Sequence, residues 1–85
     1  MWFKQRENEK LVEGIVTEIL HDSKLTYDLR RKLKNIGENE IKSIVYKISN
    51  QKITANYPMN LRAFYNIKLK NEIKNEFFEI LRKRY

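Results

Sequence analysis

Cysteine is absent from these 85 residues, and histidine, proline and tryptophan occur once each. Without cysteine there are no disulfides, zinc fingers of the usual ligand set, haem attachment or thiol chemistry. A chain this short buries only about 60% of its unfolded surface, so its stability rests on a small core or on an assembly partner. Long apolar runs are missing too. Stretches such as Ile15-Val16 and Phe77-Phe78 break off within a few residues, whereas a spanning helix needs roughly 20 apolar residues. The opening Met-Trp-Phe-Lys-Gln-Arg-Glu has no apolar core and no small-residue cleavage site. A cytoplasmic protein without membrane attachment is therefore expected.

Only two glycines and one proline interrupt the chain, and the apolar residues recur at helical spacing. This predicts a single all-α domain over residues 1–85, a small bundle of about four helices near 5–21, 24–35, 39–50 and 59–84. In the first, Leu11, Val12, Ile15, Val16, Ile19 and Leu20 cover about half the circumference, enough for more than one neighbour. Gly14 falls on the opposite face, where it costs roughly 1 kcal/mol against alanine unless another chain segment approaches closely. Ser23 or Thr26 caps the second helix, whose apolar stripe is Leu25, Leu29, Leu33 and Ile36. Gly37 suits a left-handed terminator, and Asn39 an N-cap for the third helix. That helix carries Ile41, Ile44, Val45 and Ile48 on a narrow face and is expected to end near Asn50. Residues 51–59 read as the longest loop, because Pro58 disfavours α geometry at Tyr57.

About 25 residues of the last helix would span roughly 37 Å and overhang a globule of this length. Its wheel shows two apolar stripes. One holds Leu61, Tyr65, Leu69, Ile73, Phe77, Ile80 and Leu81; the other holds Phe64, Ile67, Phe78 and Tyr85. The first serves the core. The second is either a wrap-around core or an interface, and it predicts a homo-oligomer or a docking face for a larger protein. Trp2 and Phe3 are expected to pack on the core or a second subunit, since the acidic face that follows them, with Glu7, Glu9, Glu13 and Glu18, would be repelled by anionic lipid.

The net charge is +7, which ordinarily points to an anionic partner. About half of the residues are Lys, Asn, Ile, Phe, Tyr or Met, types with A- and T-rich codons, so part of the lysine excess reflects coding bias. Position is more telling. Residues 21–36 carry +3 and residues 61–85 carry +4. On the second helix Tyr27, Arg30, Arg31 and Lys34 fall at i, i+3, i+4 and i+7, one stripe opposite the leucines. Guanidinium and ammonium groups so placed neutralise phosphates, and a neighbouring tyrosine can stack on a base. The same stripe also reads as an ordinary solvated face.

Residues 29–46 have the outline of a helix-turn-helix, with Lys42, Tyr46 and Lys47 exposed on its second helix. However, Leu33 stands where a small residue is usual and Ser43 where an aliphatic one packs, so no such motif is assigned. Lys68, Lys70 and Lys74 form a looser positive group on the last helix. Arg82, Lys83 and Arg84 suit the negative end of that helix's dipole. Glu72, Glu76 and Glu79 are placed to pair with Lys68, Lys83 and their neighbours.

Catalysis has little to stand on. His21 beside Asp22 lacks a motif-level nucleophile or phosphate loop. Glu40-Ile41-Lys42 and Glu72-Ile73-Lys74 spell a nuclease-like Glu-x-Lys in helices rather than on strands, and the Glu72, Glu76, Glu79 row is too sparse for a metal. No cofactor and no metal are expected. The leading expectation is a small, non-enzymatic nucleic-acid-binding protein, DNA before RNA, and dimeric. The competing one is an adaptor or inhibitor, of the kind carried by phages and other mobile elements, docking an apolar face on a larger partner.

Overall fold

The computed structural model describes the backbone of residues 2–56 and 62–85 and the side chains of residues 9–52 and 67–85. Four helices follow one another: α1 (Trp2–Leu20), α2 (Tyr27–Ile36), α3 (Glu38–Asn56) and α4 (Arg62–Arg84). No strand occurs among the described residues. The fold is the all-α bundle that the periodicity predicts. The side chains of Trp2, Phe3, Leu61, Phe64 and Tyr65, and the Tyr57-Pro58 segment, lie outside the described residues.

Helix α3 is the hub, packed against α1, α2 and α4. A helix with neighbours on three sides needs apolar surface over a wide arc, and α3 has it. Ile41, Val45 and Ile48 are buried, and Ile44 and Tyr46 pack half-buried against the same core. The narrow face expected for this helix is thus corrected. Ser49 is also fully buried, and its hydroxyl has a hydrogen-bonding or electrostatic partner. Nor does α3 stop at Asn50. It runs to Asn56, because no glycine or proline interrupts 51–56 and Lys52 is held across the bundle by Glu76 at 3.1 Å and Glu72 at 3.9 Å.

The core closes with Leu11, Val12, Ile15, Val16 and Ile19 from α1, Leu29 and Leu33 from α2, and Leu69, Ile73, Phe77 and Leu81 from α4. α3 and α4 run antiparallel: Lys52 meets Glu72 and Glu76 toward one end, and Tyr85 meets Glu40 at the other. The molecule is 38 Å long and 21 Å across. Twenty-three residues of α4 span about 35 Å, so the helix lies within an elongated bundle and does not overhang a sphere. Over Gly14 passes the Lys70 side chain, whose Nζ would lie 3.9 Å from an added Cβ. What approaches Gly14 is thus a flexible side chain of α4.

Candidate functional site

The positive stripe is built at the α1–α2–α3 corner. Thr26, in extended conformation, caps α2 by accepting the Leu29 amide at 3.3 Å, and so fixes where Tyr27 starts the helix. Of the two candidate caps, threonine serves, and α2 begins three residues later than the spacing implies. At the other end Gly37 donates its amide to Leu33 O at 3.1 Å, while its carbonyl accepts from Ile41 N at 3.1 Å. One residue joins α2 to α3. Its φ of 85° has the predicted sign, yet its ψ of 161° places it outside the left-handed helical well, in a region open essentially to glycine alone. Asn39 therefore sits inside the first turn of α3, and Gly37 takes the capping position assigned to it.

Between these fixed points Tyr27, Arg30, Arg31 and Lys34 border a groove of about 590 Å3, whose apolar lining includes Leu20, Leu25, Leu33 and Ile41. The four are not equivalent. Tyr27 is 79% exposed, with the Arg31 guanidinium 5.9 Å from its ring centroid. Arg31 also reaches Asp28 at 3.4 Å, a solvent-exposed pair that is weak and easily exchanged. Lys34 is exposed and has no ion-pair partner among the described residues. Arg30 instead turns back over the α1–α2 connection, donating from Nη2 to Ser23 O at 3.2 Å and Asp22 O at 3.5 Å and from Nε to Leu25 O at 3.4 Å. It buttresses the groove wall.

The other expected cations fare differently. Lys70 and Lys74 both bond Glu18 of α1, at 3.1 and 2.9 Å, which makes them a clamp between the two helices. Lys68 is exposed and engaged by a partner. Lys42 and Lys47 remain exposed, but the surface groove they border, of about 620 Å3, also holds Glu9 and Glu13, so the local charges cancel. Tyr46, in the same groove, is half-buried in the core. Glu72 and Glu76 pair with Lys52 across the bundle, and Glu79 with Lys83 at 3.5 Å along α4.

The second apolar stripe also divides. Phe78 is half-buried, packed edge-on to Phe77 at 5.4 Å. Tyr85 donates its hydroxyl to Glu40 Oε2 at 3.1 Å, and this bond to a carboxylate raises its pKa above the usual value. Ile67, 75% exposed, and Tyr85, 45% exposed, are the residues of that stripe left in water among those described. His21 lies on the surface just past α1, with Nδ1 2.9 Å from the Thr17 carbonyl of that helix.

Sequence reading missed one convergence. α2 packs against α4, and the Tyr85–Glu40 bond ties the end of α4 to the start of α3, three residues beyond Gly37. Arg82, Lys83 and Arg84 thus share one end of the bundle with the α2 stripe. Residues 27–40 and 79–85 together hold seven Lys/Arg against four Asp/Glu, a balance of +3 out of the chain's +7, and Arg82 borders a surface groove that Glu72, Glu76 and Glu79 also line. No local signal could have revealed this convergence, because it depends on antiparallel packing across more than 40 residues.

Glu18 gives the α1–α4 clamp a pH signature. The hydrogen bond from Lys74 lowers its pKa below 4.5, burial opposes this, and the bond from Lys70 lowers it further. A depressed folded-state pKa stabilises the fold above the ordinary value, and that contribution is lost as pH falls through the folded pKa. Urea midpoints at about pH 6 and about pH 3 should therefore drop further for the native chain than for Glu18→Gln. Solvent screening limits the excess to a few tenths of a kcal/mol, since the Glu18 side chain is 42% exposed. An equal drop in both proteins would count against the clamp.

Among the described residues no group of three or more His, Asp or Glu is placed to hold a metal, and no helix is long and apolar enough to cross a membrane. The chain matches no protein family, no curated protein and no solved structure.

Proposed function

We propose that the protein is a small, non-enzymatic nucleic-acid-binding protein that offers the α2 end of the bundle to phosphates. The supporting observation is the approach of two sequence-distant basic clusters at that end, with Lys34 and Arg84 exposed and without an ion-pair partner among the described residues. The proposal drops Lys70 and Lys74 from the contact set, because each is already bonded to Glu18. It also drops Arg30, whose removal would disturb the α1–α2 connection.

Fluorescence anisotropy with labelled mixed-sequence DNA and RNA, read over a range of salt, tests it. Each phosphate contact contributes a slope of about −0.9 in log affinity against log salt on duplex DNA, so Arg31→Ala/Lys34→Ala should flatten the slope by nearly 2. An unchanged slope and affinity would remove α2 from the interface. The adaptor reading, and a homodimer through α4, keep Ile67 and the ring of Tyr85 as their exposed contacts among the described residues, since Phe78 packs inward.

A further inference from the structure

The nucleic-acid reading leaves the apolar groove unexplained, because neutralising phosphates needs only cations on a surface. Beneath the Arg31–Lys34 rim lie Leu20, 42% exposed, and the side chains of Leu25, Leu33 and Ile41. At about 590 Å3 the groove falls within the range of small-molecule clefts. Tyr27 stands at its edge with most of its ring in water, and the nearby Arg31 guanidinium offers a second planar surface. Stacked duplex bases cannot enter such a space, whereas unstacked bases of a single strand seek aromatic and guanidinium faces.

Resting on the function proposed above, we infer that the ligand is single-stranded nucleic acid and that one unstacked base lies in this groove against Tyr27. The phosphates on either side run along α2, past Arg31 and Lys34. The groove's acidic members fix that path: Asp22 and Glu38 also border it and repel a backbone laid across the α1 or α3 edge. Asp22 is already occupied locally, accepting the Lys24 amide at 2.9 Å.

The experiment compares a deoxythymidine oligomer, a uridine oligomer and a mixed-sequence duplex on the native protein, Tyr27→Ala and Tyr27→Phe, all at one low salt concentration. Tyr27 is exposed and outside the core, and circular dichroism confirms that each variant is folded. The native protein should prefer the single strands. Tyr27→Ala should weaken them by on the order of ten-fold and leave the duplex unchanged, and Tyr27→Phe, which keeps the ring, should match the native affinity. Duplex binding as tight as single-strand binding, or an equal loss on all three ligands, overturns the base-in-groove inference while the nucleic-acid reading stands. No binding to any of the three overturns both.

Discussion

Replacing Phe77 by alanine is expected to cost about 3–5 kcal/mol. The ring is wholly buried where α4 meets the rest of the core, and it contacts Phe78 edge-on. Truncation removes that apolar surface and leaves a cavity that rigid helices on several sides can only partly fill. Small domains hold about 0.05–0.15 kcal/mol per residue in total, so the loss approaches the whole margin of a chain this size. The melting temperature should fall by at least about 12 °C, or the cooperative transition should vanish. Ile67→Ala, on an exposed position of the same helix, is the control and should stay within about 0.5 kcal/mol. A Phe77→Ala protein that melts within a few degrees of the native one would contradict the packing. A concentration-dependent loss in Ile67→Ala would instead reveal a second copy on α4.

Gly37→Ala should destabilise by about 1–3 kcal/mol, and for a different reason. A Cβ added there meets nothing within 4 Å, so no contact is broken and no clash is made. The cost is conformational: φ of 85° with ψ of 161° is a backbone state that L-residues avoid. Relaxing it would pull on both hydrogen bonds that the residue makes, to Leu33 and to Ile41. D-alanine, placed by chemical synthesis, separates backbone from contact effects. Because its preferred φ is positive, it should recover most of the stability lost by the L-residue. Equal destabilisation by the two enantiomers would show that space, not backbone geometry, sets the cost.

What the sequence made legible was local. The burial of Leu29 and Leu33, the positive φ at Gly37 and the inward row Leu69, Ile73, Phe77, Leu81 follow from spacing and from the chemistry of single residues, whereas the choice of Thr26 over Ser23 as the cap of α2 does not. Two readings failed where distant partners decide. Helix α3 continues to Asn56, and its Lys52 is bonded to carboxylates 20 and 24 positions further on. Lys70 and Lys74 look free by helical neighbours but belong to Glu18, 52 and 56 residues earlier. For Phe78 the spacing left core and interface both open, and the slim bundle packs it half-buried against the core. The α2 stripe was legible as a set of side chains. Its division between two rim cations and one buttress was not, since nothing in the spacing tells Arg30 from Arg31.

That buttress bears on the thermodynamics of recognition. Arg30 holds the carbonyls of Asp22, Ser23 and Leu25, so the connection walling the groove is ordered before any ligand arrives. Its conformational entropy is spent during folding, and an incoming partner meets a pre-organised wall. Binding at this end of the bundle would then carry little ordering penalty, and its heat capacity change would report the apolar surface covered rather than a loop condensing around the ligand.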